Sequence, residues 1–304
     1  MLPCAQQVNI DVERSPTNSE EQHLAATPKA RALGLAVRKE RNDRSTSLRE
    51  LAGRIGRHSG EISRWENGER PLTPERTAQI LSALGVSGDR FDEIMSLAYE
   101  AKNPPWVATT LPERERQLSA LIDFEELASR IIAVSPLLVP GLLQVPSYVR
   151  AIMTSGVSVP PNEVSARVAL RLGRQEVLSR IDPVNLVVYL GEAVLHQAVG
   201  GPVVMGEQLR HLVTMQQRTN VALRVVPYRS GWNPALDGAF IVIEPATSSP
   251  IVHLENRRSA LFLHEDEDIE VYRQAADRLD KLSFDPDKSI RTIAEAAQRW
   301  ERTR

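Results

Sequence analysis

One run constrains this 304-residue chain more than any other: Ser47-Leu48-Arg49-Glu50-Leu51-Ala52-Gly53-Arg54-Ile55-Gly56-Arg57-His58-Ser59-Gly60-Glu61-Ile62-Ser63-Arg64-Trp65-Glu66-Asn67-Gly68. Leu48, Leu51, Ala52 and Ile55 recur at i, i+3, i+4 and i+7, the spacing of one apolar helix face. Gly56 breaks that helix. Ile62 and Trp65 then bury one side of a second short helix, which Asn67-Gly68 ends, and Ser59, Gly60, Glu61, Ser63 and Arg64 turn outward. Two short helices joined by a tight turn, the second with a polar N-terminal face, form the arrangement that lays its second helix in the major groove. The expected partner is double-stranded DNA.

Each outward residue has a physical reason to be there. A helix N-terminus carries unpaired N–H groups and the positive end of the dipole, both suited to phosphate. Arg64, one turn along, can reach the two acceptors of a guanine. Ser59 offers a short hydroxyl, Gly60 leaves room for close approach, and Glu61 and Ser63 complete the face. Ser47 caps the first helix of the pair. Arg49, Arg54 and Arg57 are candidates for sequence-blind phosphate contacts. Taken singly, each of these arginines reads better as a solvated surface charge than as a contact.

The net charge is −2, but its distribution is uneven. Residues 29–76 hold twelve basic and seven acidic side chains, +5, which leaves −7 for the remainder. A basic module on an acidic remainder is an electrostatic footprint of DNA binding, with the acidic part expected to face away from phosphate. No run of about 18 apolar residues predicts a membrane span. The first residues lack the apolar stretch of a signal peptide, and a lone Cys4 excludes a disulfide framework or a Cys-rich metal site. The expected location is the cytoplasm, on the nucleoid, with no cofactor.

The predicted fold class is an all-α five-helix helix-turn-helix DNA-binding domain followed by an α+β C-terminal domain. Residues 1–28, with Pro3, Pro16 and Pro28, read as a disordered tail. Residues 29–100 read as the helical domain. Leu33, Val37 and Arg41 mark its first helix. Thr73, Pro74 and Gly85 cap and end the fourth, and Phe91, Ile94, Met95 and Leu97 mark the fifth. Asn103-Pro104-Pro105 marks a boundary. Residues 101–122 are expected to be a linker and connecting helix, and a long helical pattern runs from about Glu113 to Val134. Residues 123–304 form the second domain, with helices at 166–180, 203–217, 268–282 and 287–301. Its strands are expected only after residue 180, at 185–190, 221–226, 239–243, 251–254 and 261–263.

The segment from Leu33 to Gly68 resembles the Cro/C1-type (Xre) repressor domain, with Ile62-Ser63-Arg64-Trp65-Glu66-Asn67-Gly68 as its most specific signature. The resemblance implies an ion pair between Arg41 of the first helix and Glu66, with a structural role. His58 stands where that family often has a capping Ser or Thr, which puts the capping bond in question and admits a weakly pH-dependent phosphate contact. Residues 123–300 resemble the long C-terminal domain of WhiJ-like regulators of actinobacteria, through Leu138-Val139-Pro140-Gly141-Leu142-Leu143-Gln144, Arg171-Leu172-Gly173-Arg174-Gln175, Gly191-Glu192-Ala193-Val194-Leu195 and Asn220-Val221-Ala222-Leu223-Arg224-Val225-Val226-Pro227. That implies an antitoxin-like repressor with a small protein partner encoded by a neighbouring gene.

The second domain carries no nucleotide-binding, hydrolase or zinc-protease motif, so an enzyme is not expected. None of its histidines, His196, His211, His253 and His264, lies at helical spacing from another. The run His264-Glu265-Asp266-Glu267-Asp268 precedes a helix that Asp268 can cap. Arg171, Arg174 and Gln175, on adjacent turns of one helix, have two readings: ion pairs within the domain, or a site for a small anionic molecule or acidic partner segment, with Glu192 as internal counter-charge. A homodimer is expected, its contact in the second domain or the 113–134 helix, with recognition helices roughly 34 Å apart.

Overall fold

The structure, a computed structural model, describes residues 27–101, 106–155 and 159–303. Most of the expected tail, Cys4 and the Asn103-Pro104-Pro105 boundary lie outside the described residues. The chain divides into two units, Met1–Pro104 and Pro105–Arg304.

The first unit contains five helices among its described residues: α1 (Pro28–Asp43), α2 (Leu48–Ile55), α3 (Ser59–Glu66), α4 (Pro74–Leu84) and α5 (Asp89–Glu100). The tail expectation ran too far at its end. Thr27 and Pro28 are buried parts of α1: the Thr27 hydroxyl accepts from the Ala30 amide and donates to the Ala101 carbonyl at 3.0 Å. Ser47 caps α2 through a reciprocal box, its hydroxyl accepting from the Glu50 amide while Glu50 Oε2 accepts from the Ser47 amide at 2.7 Å. Gly56 ends α2 at φ +64, a left-handed conformation that a side chain would strain. Thr73, Pro74 and Gly85 bound α4 as the sequence suggests. Leu33, Val37, Leu51, Ile62, Ile80, Leu81 and Ile94 are fully or almost fully enclosed and form the unit's core.

The second unit holds a sheet of seven strands in the order β1-β7-β6-β5-β2-β3-β4: β1 (Trp106–Ala108), β2 (Ala128–Ser135), β3 (Asn185–Gly191), β4 (Val221–Val226), β5 (Phe240–Pro245), β6 (Ile251–Glu255) and β7 (Ala260–Leu263). Strands β2, β3 and β4 run parallel, and every other pairing is antiparallel. The helices are α6 (Leu111–Leu127), α7 (Pro146–Ser155), α8 (Val164–Gly173), α9 (Pro202–Met215), α10 (Asp266–Leu282) and α11 (Pro286–Arg302). On one face of the sheet Ile132, Val134, Phe240, Val242 and Val252 pack with Ile269, Ala276 and Leu279 of α10. Elsewhere in the unit Phe262 gathers Trp106, Phe124 and His253 around its ring, at centroid distances of 5.5, 5.4 and 4.7 Å.

Three expectations for this unit are corrected. The pattern from Glu113 to Val134 is a helix and then a strand, so strands begin well before residue 180. Ile131, Ile132, Ala133 and Val134 are buried consecutively, as befits a strand with a neighbour on each side and cover on both faces. A short apolar run of this kind has no period that separates helix from strand. The helix at 166–180 stops at Gly173 and continues as a 3₁₀ turn over Arg174–Leu178. Helix α10 starts at Asp266, with Glu265 at its N-cap, so Asp268 lies inside its first turn and does not cap it. The unit is also less acidic than the chain's charge division suggested, since residues 105–304 carry twenty-four acidic and twenty-two basic side chains.

His253, 5% exposed, sits in this core with the positive charge of Arg174 near it. Burial, reinforced by Arg174, pushes its pKa down from 6.5 to about 4. The unfolded chain therefore takes up a proton near pH 6.5 and the folded chain only near pH 4, so acid favours unfolding between those values. The second unit should lose stability on the order of 3 kcal/mol across that window. His253→Phe should flatten the dependence of melting temperature on pH there, whereas an unchanged slope would assign the acid sensitivity to other groups.

Candidate nucleic-acid interface

Helix α3 is held by its one buried face. Ile62 is fully enclosed, and Trp65 is buried with the Arg76 guanidinium 5.5 Å from its ring centroid. Glu66 receives Nε and Nη2 of Arg41 at 2.7 Å each, a two-pronged pair that joins α1 to the end of α3. Arg41 Nη1 also donates to the Thr46 carbonyl at 3.0 Å, tying in the turn before α2. The hydrogen bonds to Glu66 outweigh burial and raise the Arg41 pKa. Gly34 lets α1 approach this closely, because a Cβ there would lie 2.5 Å from the Trp65 carbonyl oxygen and 2.9 Å from that of Glu66. The S-x-x-E spacing of Ser47 and Glu50 is a sequence signal for the capping box, whereas the close approach at Gly34 shows only in the fold.

With its inner side fixed, α3 presents its first turn outward. His58, Ser59, Gly60 and Arg64 are exposed, and Glu61 and Ser63 are half-buried. His58 occupies the N-cap without a side-chain capping bond, so the amides of the first turn receive no cover from it. A Cβ on Gly60 would meet nothing within 4 Å, so the fold itself makes no demand for glycine there. Arg64 lies back along its own helix, Nε donating to the Gly60 carbonyl at 3.2 Å. Glu61 stands between Arg57 at 3.8 Å and Arg70 at 3.9 Å. Such loose, exposed pairs are worth at most about 1 kcal/mol, so a phosphate can displace the carboxylate from either arginine. Arg70, absent from the sequence-based set, joins it on this ground. Arg49 and Ser47 are exposed on α2 and its cap, while Arg54 donates to the Ala83 carbonyl at 3.3 Å and so also braces α2 against α4.

In the second unit Arg171, Arg174 and Gln175 gather around the 141–144 segment, while Glu192 is engaged elsewhere. Arg174 is engaged by Glu125 through two bonds of 2.8 and 2.7 Å, and Glu125 is 1% exposed. The counter-charge is thus Glu125, while Glu192 Oε2 accepts from the Tyr228 amide at 2.8 Å. Gln175 Nε2 donates to the carbonyls of Gly141 and Gln144. Arg171 makes one long contact, 3.4 Å, to Gln144 Oε1, and burial together with the charge of Arg174 lowers its pKa. Arg171 is on α8, whereas Arg174 and Gln175 are on the 3₁₀ turn, so they do not share one helix face. Among the described residues no group of three His, Cys, Asp or Glu side chains could hold a metal ion, and no helix is long and apolar enough to cross a membrane.

Two family models match the chain. One, described as a helix-turn-helix domain, covers residues 32–94, and the other, described as a domain of unknown function (DUF5753), covers residues 118–295, more than half the chain. No curated protein and no solved structure matches. The first match covers all of α2, α3 and α4 and makes the N-terminal unit a DNA-binding helix-turn-helix domain.

Two substitutions test how α3 is held. Glu66→Ala leaves the Arg41 charge buried and unpaired, and should cost about 3–5 kcal/mol in the stability of the first unit. An unchanged melting temperature would remove the pair from its structural role. Ser47→Ala should cost about 1 kcal/mol through the lost cap, measured by denaturant titration of the same unit.

Proposed function

We propose, on the premise that this chain belongs to the DUF5753 family and carries a helix-turn-helix domain ahead of that match, that it is a sequence-specific transcription regulator acting as a repressor. The observation that carries the reading is the outward side of α3, with Ser59, Gly60 and Arg64 exposed and Glu61 and Ser63 half-buried, on a helix whose inner face is locked by Ile62, Trp65 and the Arg41 and Glu66 pair. Arg64 reads a guanine; Arg49, Arg57 and Arg70 contact phosphate, and His58 joins them through the helix N-terminus. The protein belongs, in this reading, to the Cro/C1-type (Xre) group and its WhiJ-like branch, works in the cytoplasm on the nucleoid, and binds as a homodimer.

The second unit couples DNA binding to a small protein partner, in the manner of an antitoxin-like repressor. What supports this is the segment between β4 and β5. Tyr228, Trp232 and Leu236 are 63%, 69% and 65% exposed there. The backbone beneath them is braced: Asn233 is buried and bonds Ser230, Gly231 and Ala235, and Glu192 holds the Tyr228 amide. Large apolar side chains on a braced loop are the usual anchors of protein contacts. A second reading, that the unit senses a small anionic molecule, is favoured by an open cleft lined by the Gly141–Leu143 turn and the C-terminal part of α9.

Selection from random duplex DNA by the purified chain, at a stated salt concentration, should enrich two half-sites. Folded protein that enriches nothing would overturn the regulator reading for the unaccompanied chain. On the selected site Arg64→Ala should cost about 1–3 kcal/mol and relax the preference at one base pair. Equal loss on every sequence would make Arg64 a phosphate contact. Arg49→Ala or Arg57→Ala should weaken all sequences alike and lower the salt slope by about one.

A further inference from the structure

Within the second unit an open cleft of about 430 Å³ lies among the Gly141–Leu143 turn, the Leu172–Ser179 stretch and the C-terminal part of α9. That volume falls among those of small-molecule sites, roughly 300–1,000 Å³. Leu142 and Leu178 are buried in its wall, and Leu172 and Met215 are half-buried beside them. Gln175 also lines it, but its two bonds to main-chain carbonyls make it a fixed part of the wall.

Two side chains give the cleft a polar side. Arg218 is exposed at its margin and anchored by one bond, Nη2 to the Leu178 carbonyl at 2.7 Å. Its other guanidinium N–H groups have no hydrogen-bond partner among the described residues. His211 lines the cleft from α9, and burial lowers its pKa against the opposing pull of Glu207, so near neutral pH it offers one donor and one acceptor. Glu176 also faces the cleft and disfavours a multiply charged ligand such as a nucleotide.

We propose that this cleft binds a small amphipathic organic monoanion, its apolar body against Leu142, Leu172, Leu178 and Met215 and its carboxylate or sulfonate on Arg218, with His211 hydrogen-bonding the polar end. The assignment deepens the ligand-sensing reading of the second unit and does not depend on the DNA reading. It moves the site away from Arg171, Arg174 and Glu192, of which Arg174 is already paired with Glu125.

The test uses the full chain and anilinonaphthalene sulfonate as a fluorescent probe, with naphthoate and its uncharged analogue naphthalenemethanol as competitors. One saturable site is expected, with naphthoate competing and naphthalenemethanol weaker by about tenfold or more, the loss of one charge-assisted bond. Arg218→Gln should weaken the probe to a similar extent, Met215→Trp should fill the cleft and abolish binding, and Arg171→Gln should leave it unchanged. Melting curves accompany each variant, and Arg218→Gln, a surface change, decides the matter if Met215→Trp fails to fold. Undiminished binding in Arg218→Gln and in folded Met215→Trp would place the probe elsewhere and overturn this cleft while leaving ligand sensing open. No saturable binding to the unaltered chain would overturn both. A change confined to oligomeric state would make the cleft a contact between copies and overturn the proposal.

Discussion

Between α1 and α3 the Arg41 guanidinium and the Glu66 carboxylate meet in a two-pronged contact with almost no access to water. Burying two charges costs solvation, and the pair need not stabilise the unit more than two apolar residues would. What it supplies is direction. The two parallel bonds accept one relative placement of the two helices, and the third Arg41 bond, to Thr46, fixes the turn before α2 in the same act. The outward residues of α3 inherit their position from this contact, from the close approach at Gly34 and from the enclosed Ile62.

The second unit uses the same device for a different end. Arg174 and Glu125 pair at 2.7 Å with side chains 9% and 1% exposed, joining the 3₁₀ turn after α8 to the end of α6. Because the pair is buried, the charge of Arg174 reaches its neighbours. It helps keep His253 neutral and lowers the proton affinity of Arg171. Of the two readings open to Arg171, Arg174 and Gln175 in the sequence, the Arg174 and Glu125 pair and the Gln175 bonds to main-chain carbonyls favour the internal brace. The cleft beside it, with Arg218 and His211, is built from three segments spread over more than seventy residues of sequence, from Leu142 to Arg218.

Much of the first unit was legible because its signals are local. Ser47, Gly56, Thr73, Pro74 and Gly85 act on their own helix ends, and a cap or a left-handed glycine works within four residues. The outward face of α3 followed from the placement of Ile62 and Trp65. Helix α11, capped by Asp285 and opened by Pro286, was legible for the same reason. Strand β2 was not. Its neighbours β3 and β5 lie more than fifty and more than a hundred residues further on, and only their arrival decides between a helix and an extended run. The counter-charge of Arg174 was misassigned on similar grounds, since Glu125 is 49 residues away and nothing in its surroundings marks it.

The sequence alone therefore determined the helix-turn-helix unit, its caps, its inner and outer faces and the existence of a mixed second unit, because each follows from period, capping and turn chemistry along a short stretch of chain. Tertiary structure alone decided the order of the sheet, the partners of buried charges and the place of the cleft. Those depend on which distant segments exclude water from one another, and a buried arginine takes whichever carboxylate the fold delivers to it.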